Sequence, residues 1–254
     1  NHQTLMINDK QIIDNFEDAL YAAESPTPRS GFVPIYLLCK QVREDSLKVV
    51  LTGEGADEIF LGYDLFREIM LKHAIRDGRD LDEVMPILES LNAFMPAQEN
   101  RGKFLALRYS NYKKLSEQNG LFSSHTERAN LGAMARLFFK SSDTDHGWES
   151  YLTSKYPNFK SLDELERGRL IEIESLLSGH LLCTQGDRVS MGNSVETRPP
   201  FLDKNLVDFA GRISPENHYN AEYGEKAVLK KAYKGLIPDK ILMRQKFPYR
   251  APDS

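Results

Sequence analysis

The pattern of apolar and polar positions divides the chain into an α/β start and a long helical remainder. Residues 4–7 and 47–51 are short apolar runs that read as strands, the second as a buried one. Between them, residues 14–23 read as a helix broken by Ser25-Pro26-Thr27-Pro28. Residues 34–44 read as a second helix with Ile35, Leu38, Cys39 and Val42 inward. Residues 56–66 again have helical spacing, with Ile59, Phe60, Tyr63 and Phe66 on one side. Strands alternating with helices predict parallel pairing. From residue 65 to about 159 the pattern gives helices and loops with no clear strand, a polar loop over 141–147, and Trp148 in a core. Ser161-Leu162-Asp163-Glu164 has capping-box spacing, so a long helix should follow, with Ile173, Leu176, Leu177 and Leu181 packing. Asp203 is expected to cap a helix ending near Gly211. Tyr223-Gly224-Glu225-Lys226 is expected to open a helix running to about Tyr233.

Composition narrows the function classes. The chain has 254 residues, 41% of them hydrophobic, enough for a packed core and against global disorder. Lys plus Arg number 33 against 37 Asp plus Glu, and this net charge of −4 gives no support for nonspecific nucleic-acid binding. Residues 104–114 do mix Phe104, Tyr109 and Tyr112 with Lys103, Arg108, Lys113 and Lys114, yet in an acidic chain a solvated amphipathic helix is favoured over an RNA-binding face. No apolar stretch approaches membrane-spanning length and no signal peptide is visible, so no membrane is expected. Cys39 and Cys183 make no disulfide framework, which leaves a reduced, cytoplasmic protein as the default. The six histidines have no metal-ligand spacing, and His180 reads as a core or edge residue. Because the chain starts at Asn1 and stops in a turn-like stretch, a piece of a longer protein is expected.

Three stretches carry candidate chemistry. The first is Leu51-Thr52-Gly53-Glu54-Gly55-Ala56-Asp57-Glu58, two glycines and three acids where a strand meets a helix, the edge at which open α/β sheets bind ligands. Gly53 and Gly55 let the backbone approach a phosphate, and the helix N-terminus offers unpaired N–H groups. Asp57 and Glu58 would repel phosphates unless Mg²⁺ lies between, since that ion takes carboxylate and phosphate oxygens together. A plain strand-to-helix turn, with acids as ordinary dipole partners, accounts for this segment equally well when it stands alone. The second stretch runs from Asp187-Arg188 to Val195-Glu196-Thr197-Arg198-Pro199-Pro200-Phe201-Leu202-Asp203. It reads either as an internal ion-pair network or as a pocket wall facing an anionic substrate. In the third, Gly224-Glu225-Lys226, the lysine is expected in a first helical turn, where a cation opposes the dipole; a ligand role and surface solvation both account for it. Arg244-Gln245-Lys246 adds cations near the end.

Together, in this order, Leu51–Glu58 with Gly62-Tyr63, Asp187–Asp203, and Gly224–Lys226 with Arg244-Gln245-Lys246 resemble the synthetase domain of glutamine-hydrolysing asparagine synthetases. The resemblance runs across nearly the whole chain, more weakly over 67–160. It implies a partial parallel α/β sheet of the adenine-nucleotide alpha-hydrolase-like kind with a large, mostly helical portion. It divides the chain into the rear of the nucleotide-binding layer (1–66), a helical insertion (67–160) and a helical segment with the second half of the site (161–254). It implies an ATP- and Mg²⁺-dependent ligase that activates the side-chain carboxylate of aspartate as an acyl-adenylate. Ammonia from glutamine, released by a separate N-terminal glutaminase domain, then gives asparagine and AMP. By the same resemblance Thr52, Gly53 and Gly55 contact the nucleotide, Glu54 orients ammonia or takes its proton, Asp57 binds metal and pyrophosphate, and Lys226 stabilises charge on the phosphates. Arg188, Glu196 and Arg198 are implied as pocket scaffolding with aspartate contact. A homodimer is compatible with this reading.

Related β-lactam synthetases carry Tyr at the place of Glu54, so Glu54 favours amide formation between two molecules over ring closure. Relatives also amidate other carboxylates, so amidation of a different acid stays open, as does a non-catalytic synthetase-like binding module. The family's Ser-Gly-Gly-x-Asp-Ser loop and its catalytic-cysteine domain are not in this sequence, so the piece is expected to be inactive alone.

Overall fold

The structure is a computed structural model that describes residues 2–27, 29–91, 101–117, 120–125, 146–244, 246 and 251. The polar loop expected up to residue 145, the turn-like end, Pro28 and Gln245 lie outside the described residues, apart from Ala251. The chain divides into two compact units.

The first unit comprises Asn1–Phe60, Glu172–Ile213 and Arg244–Ser254. The strand expected over 4–7 is not formed. Instead Asn8 and Gln11 make a reciprocal capping box that starts α1 (Asp9–Asp14), and α2 (Phe16–Ala23) follows after Asn15. The helix expected over 14–23 is therefore two. α3 (Phe32–Glu44) starts two residues earlier than expected and tolerates Pro34 because a first-turn N–H has no intrahelical partner to lose. Ile12, Ala19, Ala23, Phe32, Val33 and Val189 form this unit's core. Leu38, expected inward, is exposed, while Cys39 is buried.

Strand β1 (Val49–Leu51) pairs in parallel with β2 (Glu196–Arg198), in the register Val49↔Glu196, Val50↔Thr197, Leu51↔Arg198. The pairing is parallel, as the α/β pattern suggests, but the partner is β2, which the apolar pattern does not predict, and not residues 4–7. Val49 and Leu51, expected buried, are exposed, because among the described residues this sheet has only two strands. β1 leads to the four-residue α4 (Ala56–Ile59). The expected helix over 56–66 is interrupted there, since Leu61 adopts a left-handed backbone (φ 54°).

The second unit comprises Leu61–Ile171 and Ser214–Met243. It opens with α5 (Asp64–Arg76), then α6 (Leu81–Ser90), capped by an Asp80–Glu83 box, and α7 (Arg101–Ser116). These three pack around Leu71, Ile75, Val84, Leu88, Leu105 and Tyr112. α8 (His146–Lys155) reaches back into part of the expected loop, and Trp148 on it is exposed at 46% rather than in a core. No strand occurs among the described residues of 65–159, as expected.

α9 (Glu164–Glu172) begins the expected long helix, capped by Asp163 accepting from the Glu166 N–H, not by Ser161, whose hydroxyl donates to Asn158 O. The chain continues in the first unit as a π-helix, Ile173–Arg188, closed by the short α10 (Val189–Met191). Its wider repeat shows in the side chains: the Thr184 hydroxyl donates to Gly179 O, five residues back. Of the four residues expected to pack from this stretch, only Leu177 is fully buried. α11 (Lys204–Ala210) is capped by Asp203, which accepts from the Asn205 and Leu206 N–H groups, and Gly211 follows, as expected.

In the second unit β3 (Tyr219–Asn220) pairs antiparallel with β4 (Gly224–Glu225), ahead of α12 (Ala227–Ala232) and α13 (Asp239–Leu242). The architecture is largely helical α/β with a small parallel sheet, as expected. No described helix is long and apolar enough to cross a membrane.

Candidate functional site

In the first unit β1 and β2 run in parallel, so both loops that follow them leave from the same edge of the sheet, where α/β folds present ligand sites. One is Thr52-Gly53-Glu54-Gly55; the other begins at Pro199-Pro200. The ladder extends one step into the first loop, with the Thr52 N–H donating to Arg198 O at 3.0 Å.

The two glycines have different reasons to be there. Gly55 has φ 86°, in the left-handed region, and a Cβ on it would collide with the Leu202 side chain. It is thus required by the fold, and it holds the acidic loop against the second one. Phe60 and Phe201 reinforce that contact edge to face, with ring centroids 6.1 Å apart. Gly53 has no positive φ, and a Cβ would meet nothing within 4 Å among the described residues, which leave open space around it.

Glu54 is half-buried, and its Oε2 is buried with no hydrogen-bond partner among the described residues. Such an oxygen is costly unless something else donates to it. Glu54 also acts on Cys39: burial, then the carboxylate's charge, push that thiol up to about 11. Asp57, on α4, is bonded through Oδ2 to Lys246 Nζ at 2.5 Å. α4 has only four residues, so the expected helix N-terminus offers little dipole.

The second stretch is not an internal network. Glu196 and Arg198, two residues apart on β2, pair at 2.7 Å in the open, more than half exposed. That pairing lowers the pKa of Glu196 and raises that of Arg198. Arg188, at the end of the π-helix, approaches Glu24 at 3.7 Å and Ala23 O at 3.4 Å. Asp187 accepts from the Thr197 hydroxyl at 3.3 Å. On the π-helix, burial and then the charge of Arg29 lower the pKa of His180.

Lys226 belongs to the second unit. It is not in a first helical turn: it is the N-cap of α12, with a left-handed backbone (φ 53°), directly after β4. The structure thus brings Thr52, Gly53, Glu54 and Gly55 into one loop, with Asp57 on the short helix that follows it and Glu196 and Arg198 on the neighbouring strand. Lys246, left out of the sequence-derived site though its motif was noted, is the partner of Asp57. Only the fold shows this, because the two are 189 positions apart.

Among the described residues no three His, Cys, Asp or Glu side chains are arranged to hold a metal ion. The residues nonetheless suit a Mg²⁺ shared with phosphates, which needs only one or two protein carboxylates. Asp57 already has a cation against it in the form of Lys246.

The Asparagine synthase family model matches residues 1–254. The chain is similar to the Amidase chyE of Penicillium rubens, at 28% identity over 97% of this chain and 38% of the relative. It is similar to Asparagine synthetase [glutamine-hydrolyzing] 1 of Bacillus subtilis, at 25% identity over 97% of this chain and 37% of the relative. A probable asparagine synthetase of Acanthamoeba polyphaga mimivirus is 39% identical over 41% of this chain. The chain therefore spans less than two-fifths of the length of the first two relatives. The family match over residues 1–254 places this chain in the asparagine synthase family.

Proposed function

We propose that this chain supplies the synthetase part of an ATP-dependent amide-forming ligase, converting aspartate, ATP and ammonia to asparagine, AMP and pyrophosphate. The side-chain carboxylate of aspartate attacks the α-phosphorus of ATP and pyrophosphate leaves. Ammonia then attacks the acyl carbon of β-aspartyl-AMP, the bond to the phosphate oxygen breaks, and AMP departs. The nitrogen gives up its proton to a base.

Glu54 is that base and orients the ammonia. The observation that carries this is its buried Oε2, an acceptor with no donor among the described residues. Asp57 would hold Mg²⁺, which supplies charge neutralisation for the departing pyrophosphate. Thr52 and Gly53 contact the nucleotide, and the open space over Gly53 suits a close approach. Lys226 offsets charge building on the phosphates. Arg198 and Arg188 offer guanidinium groups to the carboxylates of aspartate, with Glu196 holding Arg198 in orientation. Glutamine, hydrolysed by an amidotransferase partner domain, is the proposed ammonia source.

The test is aspartate-dependent pyrophosphate release and asparagine formation by the intact protein that carries this chain. Glu54→Gln, which keeps the size and loses the base, is expected to lower amide formation by about 100-fold or more. Unchanged turnover would remove Glu54 from the chemistry.

A second reading has one specific observation behind it, the similarity to a fungal amidase. In that reading the same adenylation acts on a different carboxylic acid. Pyrophosphate release driven by other acids and not by aspartate would favour it.

A further inference from the structure

Lys226 stands on a hairpin organised by buried charge, all of it within the second unit. Glu225, the residue before it, is only 6% exposed. Each of its carboxylate oxygens has its own cation. Oε2 accepts from Arg67 Nη1 at 3.2 Å, and Oε1 accepts from Lys230 Nζ at 3.2 Å. Arg67, on α5 and 4% exposed, also bonds Asp64 through Nη2 and lies over the Tyr219 ring, 6.0 Å from its centroid. Lys230 donates again to Tyr223 O at 2.6 Å, and Asn220 Oδ1 accepts from the Tyr223 N–H at 2.8 Å. Both strands of the hairpin are thereby tied to one network.

The residue between these anchors has little freedom. Lys226 follows the clamped Glu225 and precedes Ala227, whose N–H donates to His218 O at 2.8 Å. Its own φ of 53° is a conformation that a residue with a side chain adopts only where its surroundings enforce it. Two anions (Asp64, Glu225) meet two cations (Arg67, Lys230), so Glu225 sits beside Lys226 in the chain as an already balanced charge. A buried charge network is a poor way to gain stability compared with apolar packing, whereas its directional bonds fix geometry.

We propose that Arg67 and Glu225 are a positioning pair that sets the direction of Lys226 for the phosphates. This rests on the reading of Lys226 as the phosphate lysine. Arg67 supplies a rigid two-armed guanidinium whose arms end on Asp64 and Glu225, so α5 fixes β4. β4 in turn fixes the backbone from which the lysine projects.

The experiment is a double-mutant cycle on pyrophosphate release by the intact protein carrying this chain, with kcat and the KM for ATP measured separately. Glu225→Gln is expected to lower kcat by about tenfold or more and to change KM by less than about twofold. In a Lys226→Met background the same change is expected to cost less than about twofold, because its route of action is already gone. Arg67→Lys, which keeps the charge, is expected to retain more turnover than Arg67→Met. An equal loss from Glu225→Gln in both backgrounds would overturn the positioning role and leave the assignment of Lys226 standing. Unchanged turnover in Lys226→Met would overturn that assignment and the proposal with it. If Glu225→Gln does not fold, Lys230→Met, which frees Oε1 and the Tyr223 carbonyl but leaves Arg67 on Oε2, replaces it in the same cycle with the same expected coupling.

Discussion

Lys246 Nζ lies 2.5 Å from Asp57 Oδ2, with about a fifth of either side chain exposed. The carboxylate assigned to the metal thus has an internal cation as its companion. Binding of Mg²⁺ at Asp57 must compete with that lysine.

Lys246→Met is therefore expected to lower the Mg²⁺ concentration giving half-maximal pyrophosphate release by about two- to fivefold, the range for a partly screened ion pair. A Mg²⁺ titration at saturating ATP measures this. An unchanged midpoint would mean that Asp57 does not hold the ion.

The two loop glycines should separate fold from function. Gly55→Ala places a side chain at φ 86° and into Leu202, which should cost about 2–4 kcal/mol of stability. Gly53→Ala meets none of the described residues within 4 Å and should melt within about 0.5 kcal/mol of the parent. If the nucleotide comes close to Gly53, the same variant raises the KM for ATP. Denaturant melts and ATP titrations of both variants give the comparison, and normal ATP binding by Gly53→Ala would remove that contact.

Glu164 is expected to make the second unit acid-labile. It is 6% exposed and receives Lys72 at 2.6 Å, His73 at 3.3 Å, Arg76 at 3.1 Å and the Ser123 hydroxyl at 2.9 Å. Burial by itself pushes this carboxyl up, but the bonds from His73 and Lys72, the Lys72 charge and the Ser123 hydroxyl outweigh it and hold it well below the usual carboxylate range. A depressed folded pKa means stability is present above the unfolded value, about 4.3, and is lost as pH falls below it. Urea melts at pH 7 and pH 3 should show that loss in the parent and a weaker one in Glu164→Gln. At pH 7 the variant should be less stable by about 3 kcal/mol, since it strands buried Lys72. Equal pH dependence in both proteins would count against this account.

What was legible in the sequence was local or carried by a motif. Asp203 before an apolar-spaced helix could be read as a cap because the bond reaches only two and three residues. The strand before the acidic loop followed from the apolar run at 47–51, but its parallel neighbour Glu196–Arg198 did not, because two charged residues and a threonine give no apolar strand signal. The interruption at Leu61 was hidden because Ile59, Phe60 and Phe66 are all buried, so the apolar periodicity continues across a break in the backbone. Lys226 looked helical because nothing within Tyr223–Lys226 announces pairing with Tyr219–Asn220. Glu164 was read as part of a cap because its four partners lie 41 to 92 positions away. The π-helix changes the repeat of a stretch whose leucines fit an α-helix on paper.

The parallel ladder also has a consequence for the order in which the molecule is completed during synthesis. Val49 finds its partner Glu196 only after 147 further residues (196 − 49), and Asp57 waits 189 positions for Lys246. At about 5–20 residues per second, the acidic loop leaves the ribosome roughly 7–30 seconds before the strand that supports it. Meanwhile α5, α6 and α7, whose contacts are local, can already pack. The candidate site is thus finished later than these helices, and β1, with Val49 and Leu51 exposed even in the folded protein, waits without β2 for that interval.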